Sequence, residues 1–142
     1  MNYPLPRNHF RVEWAGTRID FCEVSGLSIE LSAPAFRDGS SADNSKVTMP
    51  GQIQYPHLVL KRPVVKGDNE FFKWISSAKF NQIQRRDIVV SLLNELHEAA
   101  VVWTFKHAFP VKVNYSTLEA ASSEPMMEII EITHEGMVVE NN

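Results

Sequence analysis

Apolar and polar residues alternate with a period of two in six stretches of this 142-residue chain: HFRVEW (9–14), TRIDFC (17–22), LSIELSA (27–33), HLVLKR (57–62), VWTFKH (102–107) and VKVNYS (111–116). That period belongs to strands with one face in a core and the other in water, so the chain has to be mainly β. Two further segments, DIVVSLLNE and PMMEIIEIT, are more continuously apolar, which predicts strands covered on both faces. Turn chemistry at Gly16, Ser25-Gly26, Asn94, Pro110, Pro125 and Gly136 separates the strands.

One segment breaks the pattern. In residues 68–80, Phe71, Trp74, Ile75 and Ala78 recur at i, i+3, i+4 and i+7, the spacing of one helical face, and Phe72 and Phe80 widen that stripe. Gly67 and Asp68 supply a turn and a cap, and Glu70 puts negative charge in the first turn. A helix this short is unstable alone, so it is expected to cover a sheet with that face. Between the third and fourth strands runs FRDGSSADNSKVTMPGQIQYP, a long polar segment. It reads either as an arm that orders against a neighbour or as a surface excursion.

The length suits a single domain over 1–142. Hydrophobic residues make up 44% and charged residues 22%, far from the composition of disordered chains. A net charge of −3, from 14 Lys+Arg against 17 Asp+Glu, argues against sequence-specific nucleic-acid binding. MNYPLPRNHF lacks the basic start and apolar run of a secretory signal, and no apolar run is long enough to insert in a bilayer. Synthesis in the cytoplasm is expected.

No catalytic motif emerges. The five histidines contain no HExxH pair, glycine-rich phosphate cradles are missing, and the lone Cys22 alternates with Phe21, which predicts a buried thiol. Lys61, Arg62, Arg85 and Arg86 form a small basic set expected on a solvated face or pairing with acids. No cofactor or metal is expected, and the chain reads as a non-enzyme. A domain of many strands with little to blunt its edges is better suited to pairing with other chains.

In order and spacing, YPLP (3–6), VSGL (24–27), FRDG (36–39), MPGQ (49–52), LKRPVVKGDNEFFKWI (60–75), QRRDIVVSLLNE (84–95) and VVWTFKHAFPVKV (101–113) resemble the tail tube protein family of contractile-tailed phages and extracellular contractile injection systems. The resemblance covers nearly the whole chain. It implies a fold similar to the type VI secretion tube protein: a two-sheet barrel or sandwich, one capping helix and a long extended arm. It also implies hexameric rings stacked into a hollow inner tube that is driven through a target envelope when the sheath contracts.

The implied partners are further copies of the chain, the surrounding sheath protein, baseplate and tube-terminating proteins, and cargo in the lumen. The implied location is inside the sheath of a phage tail or injection particle. The family's stacking loop falls on the arm, giving Asp38, Gly39, Lys46, Met49, Pro50 and Gly51 as inter-ring candidates. For the lumen, strand alternation offers Ser28, Glu30 and Ser32, opposite Leu27, Ile29 and Leu31, and Lys112, Asn114 and Ser116, opposite Val111, Val113 and Tyr115. A baseplate or tube-end paralogue, and a small-ligand-binding β barrel with a dry closed cavity, are the alternative readings.

Overall fold

The alternating segments become antiparallel strands because pairing satisfies their backbone groups while every second side chain turns inward. The computed structural model describes residues 4–14, 17–36 and 47–141. Its strands are β1 (Phe10–Trp14), β2 (Thr17–Ile19), β3 (Glu23–Ser25), β4 (Glu30–Leu31), β5 (Ala35–Phe36), β6 (Val47–Thr48), β7 (Ile53–Gln54), β8 (Leu58–Pro63), β9 (Arg86–Leu93), β10 (Ala99–Tyr115), β11 (Met127–Thr133) and β12 (Gly136–Asn141). One helix, α1 (Glu70–Ser76), runs into a 3-10 turn at Ser77–Phe80.

Eight strands form one folded sheet in the order β2-β1-β9-β10-β11-β8-β3, with β12 also on β10. β10 creates the fold in this sheet. Its first half pairs with β9 on one edge and β12 on the other, and its second half pairs with β11. VWTFKH and VKVNYS, read as two strands divided at Pro110, are therefore one strand of 17 residues. Pro110 is tolerated because it lies at a register shift against β11, between Pro110 and Lys112, where the ladder is already irregular. A second shift against β9 lies between Phe105 and Ala108, where His107 takes a left-handed φ of 52°. Each irregularity re-aims the pleat, so the inward residues pass from Val101 and Phe105 to Ala108 and Pro110, then to Val113.

The folded sheet becomes a sandwich. Val12 and Trp14 of β1, Ile88 and Val90 of β9 and Phe105 of β10 share a core with Leu58 and Leu60 of β8 and Ile130 and Ile132 of β11. Helix α1 packs against β10 and adds Phe71 and Trp74 to that core. Trp14 stacks on Phe71 at 5.6 Å and tilts against Trp74 at 4.5 Å, and Phe21 stacks on Phe71 at 5.7 Å. The ladder ends at β2 and β3 without these pairing, so among the described residues the sheet is not closed into a barrel. β9 is covered on both faces over its second half, where Val90 on one side and Ser91 and Leu93 on the other are buried, whereas β11 buries one face and half-buries the other.

Several sequence expectations change at this level. The α-helix stops at Ser76, and the tighter 3-10 turn breaks the 3.6-residue stripe. Phe71 and Trp74 are buried and Ile75 is half-buried, but Ala78 is exposed, as are Phe72 at 49% and Phe80 at 73%. Cys22 is exposed too, because the chain is irregular there and its thiol points along the edge toward the Lys61 carbonyl. Of the two places expected for the basic residues, pairing with acids is the one found for Lys61, Arg62 and Arg85, though within this chain. Arg62 is buried against Glu128 and Asp68, Arg86 stacks on Trp14 and Trp74, Arg85 pairs with Glu135, and Lys61 pairs with Glu23. Gly16, the first expected break, lies outside the described residues.

Candidate functional site

The surfaces that set this domain apart are open strand edges and a two-stranded arm. LSIELSA does not join the body sheet. Only Leu27 packs on the core, and the rest rises as the outgoing half of a hairpin that returns through residues 47–54. Glu30 pairs with Gln54 and Leu31 with Ile53, and further out Ala35 pairs with Thr48 and Phe36 with Val47. Between these ladders the Gly51 amide donates to the Ser32 carbonyl at 2.7 Å, and the Gln52 amide donates to Ser32 Oγ at 2.8 Å. A Cβ on Gly51 would lie 2.1 Å from that hydroxyl and 2.8 Å from the carbonyl, so only glycine fits this crossing.

A ribbon of two strands has no interior, and its apolar side chains are left in water. Ile29, Leu31, Val47, Met49 and Ile53 are each at least 51% exposed. In LSIELSA the period-two pattern was therefore misleading, since Ile29 and Leu31 are not turned into this molecule's core. Pro34, directly after the run, was the available signal that the segment leaves the sheet. Met49, Pro50 and Gly51 lie exposed on the returning strand, whereas Asp38, Gly39 and Lys46 fall outside the described residues.

The six polar lumen candidates are not brought together. Ser28 is half-buried where the arm begins, Glu30 and Ser32 travel with the arm, and Ser32 spends its hydroxyl on Gln52. Lys112 and Asn114 are exposed on the far half of β10. Ser116 instead closes the β10–β11 ladder, accepting from the Met127 amide at 3.0 Å and contacting Met126 Sδ at 3.2 Å. Sequence reading also missed β12, whose exposed Val138 and Val139 lie on a strand paired with β10 alone. Open backbone edges among the described residues are those of β2, β3 and β12, together with β10 beyond Ala108, where β9 has ended. A cleft of about 540 Å³ lies beside β3, with Phe10, Leu27, Val90 and Trp103 on its apolar side and Arg7, Asn8 and Glu23 on its polar side. Among the described residues no three His, Cys, Asp or Glu side chains converge on a possible metal position.

Residues 6–138 match the family model described as T4-like virus tail tube protein gp19. The chain belongs to this tail tube family. A chain of similar fold is found in the PVC sheath-tube complex of an extracellular contractile injection system in its extended state. It is 30% identical with a TM-score of 0.87, over 99% of this chain and 93% of that one. A chain in the tube-terminating cap of the anti-feeding prophage is also 30% identical, with a TM-score of 0.88 over 100% of this chain and 94% of that one. Hcp1 from Flavobacterium johnsoniae shares the fold at 17% identity and a TM-score of 0.61, over 94% of this chain and 96% of that one. Among curated protein sequences none matches. Tail tube proteins are structural, a role that strand edges and an arm can serve.

Proposed function

We propose that this protein forms hexameric rings that stack into the hollow inner tube of a contractile tail or injection system, and that the tube is driven through a target envelope when a surrounding sheath contracts. The observation that carries the proposal is the hairpin arm: a ribbon with apolar residues on it and no core of its own is suited to being covered by another copy. Ring closure would use the open edges of β3, β12 and the far half of β10 by adding strands across subunits. An obligate interface of that kind buries about 2,000 Å² or more. Stacking of one ring on the next is the head-to-tail contact that generates an open filament, and the arm from Asp38 to Gly51, with its β4–β5 partner strand, is assigned to it.

Lys112 and Asn114 are assigned to the lumen, where polar side chains let cargo slide. Helix α1 is assigned to the outside, with exposed Phe72, Lys73 and Phe80 offered to the sheath protein. Assembly in the cytoplasm and capture by baseplate and terminator proteins complete the reading. The match to a chain in a tube-terminating cap supports a tube-end role as the second reading.

Two variants test the division of labour. Gly51→Val breaks the crossing with Ser32 but touches no core residue, so its melting temperature should stay near that of the wild type while tubes disappear and rings remain. Replacing residues 40–48 with a short Gly/Ser link should give the same rings by negative-stain imaging. Tubes of normal length in both variants would remove the arm from stacking, and a stable monomer in sedimentation at tens of micromolar would remove the ring itself. In assembled tubes, Lys112→Cys should react with a bulky maleimide far more slowly than Lys79→Cys. Equal rates would move Lys112 out of the lumen.

A further inference from the structure

His134, in the short break between β11 and β12, is buried, and its ring nitrogens make no hydrogen bond of good geometry, although the Pro56 and Gly136 carbonyls lie close enough to favour protonation. A buried imidazole is normally well satisfied, and one so weakly partnered calls for an explanation. The ring meets Phe105 of β10 edge-on at 4.8 Å and Tyr55 at 5.4 Å. Tyr55, Pro56 and His57 are the last residues of the arm before β8. The outgoing strand enters at the same place, since a Cβ on Gly26 would lie 2.0 Å from the His57 carbonyl oxygen. His134 therefore sits where the root of the arm is seated on the body.

We propose that His134 is a proton-operated latch that seats the arm root on the body at neutral pH and releases it in acid. A neutral ring packs between Phe105 and Tyr55, whereas an imidazolium there would be a buried charge without a counter-ion. Burial chiefly lowers the His134 pKa from its ordinary 6.5, and charge on His57 acts in the same direction. The carbonyls of Gly136 and Pro56 oppose both without prevailing.

Among the described residues no carboxylate pairs with the ring. On the arm side the titratable neighbours are Tyr55 and His57, and Glu131 of β11 lies 3.9 Å from His57. On the body side Glu135 is held by Arg85 at 2.7 Å, and Lys106 of β10 by Asp87 at 3.6 Å. Because the seated state binds fewer protons than the released one, seating is fully favourable above about pH 6.5 and is lost as pH falls below it. The latch stands on the arm root alone. Its consequence, tubes that separate into rings in acid, rests on the arm's role in stacking.

Hydrogen–deuterium exchange of the purified protein between pH 7.5 and 4.5, corrected for intrinsic rates, reads the latch directly. Protection of peptides spanning 28–34 and 50–58 should fall by up to about tenfold per pH unit once His134 titrates, while β9 keeps its protection. His134→Phe and His134→Leu should make the arm-root profile flat, and His57→Gln should leave it pH-dependent. A flat wild-type profile, an unchanged profile in the His134 variants, or equal opening of β9 would overturn the latch. If neither His134 variant folds, the wild-type profile and His57→Gln decide: a flat wild type, or a His57 variant that abolishes the effect, refutes it. Tubes persisting in acid despite an opened arm root would count against the stacking role instead.

Discussion

Trp74→Ala should cost the folded subunit about 3–5 kcal/mol, a large part of the 5–15 kcal/mol that holds a domain together. The side chain is 3% exposed, and it is clamped from three sides. Its ring lies 4.5 Å from Trp14, Arg86 sits over it at 4.6 Å, and Nε1 donates to the Gln84 carbonyl at 2.7 Å. Truncation empties the space between α1 and β1 and leaves Arg86 with only Trp14 to stack on. Trp74→Phe keeps most of the packing and should lose only about 1 kcal/mol from the indole hydrogen bond, plus a packing defect. Urea denaturation of the two variants gives both numbers. A Trp74→Ala subunit within about 1 kcal/mol of wild type would mean that α1 does not seal the sandwich. In that variant, loss of soluble protein should precede any defect in assembly.

Glu128→Leu is expected to be as damaging, for an electrostatic reason. Glu128 and Arg62 are register partners on β11 and β8, both inside the sandwich at 2% and 5% exposure, with Nε to Oε1 at 2.6 Å. The guanidinium also lies 4.1 Å over Phe71 and reaches Asp68 at 3.1 Å, so one residue ties both strands to the start of α1. Removing the acid leaves the buried guanidinium with only the partly exposed Asp68 as counter-ion, so the loss should approach but not exceed about 3–5 kcal/mol, the cost of a fully unpaired buried charge. The double variant Arg62→Met/Glu128→Leu should recover most of that loss, because two apolar side chains on adjacent strands need no partner. If the double variant is no better than the single one, Arg62 is needed for more than neutralising Glu128, and its link to the helix becomes the explanation.

That link has its own pH signature. Asp68 is held below its ordinary 3.8, first by the Glu70 amide that donates to it, against burial, and then by Arg62. Its contribution is present above about pH 3.8 and is lost as pH falls through the lowered value. This loss begins near pH 3.8, whereas the His134 latch begins to open near pH 6.5, so the two onsets are separable.

The sequence by itself was enough for most strands of the body, β12 and the unity of β10 excepted, and for the heart of the helix. HLVLKR borders a core, and wherever one face is buried a period of two has a single meaning, while DIVVSLLNE and PMMEIIEIT were legible as strands from their continuous apolar run. Phe71 and Trp74 were equally legible, as was Asn94, whose side chain accepts from the Leu96 and Glu98 amides to turn β9 into β10. The ordered blocks from YPLP to VVWTFKHAFPVKV were enough for the family.

Only the tertiary structure decided where LSIELSA goes, because alternation does not say whether a core stands behind it, and Ile29 and Leu31 turn out to lie on a ribbon with none. Only the structure showed that Pro110 sits inside a strand, since a register shift excuses its missing N–H. It alone placed Arg62 and His134 in the interior. A charge or an imidazole is buried according to what distant strands put beside it, and Glu128 lies 66 residues from Arg62 while the arm root that covers His134 lies earlier in the chain than any of its sheet partners.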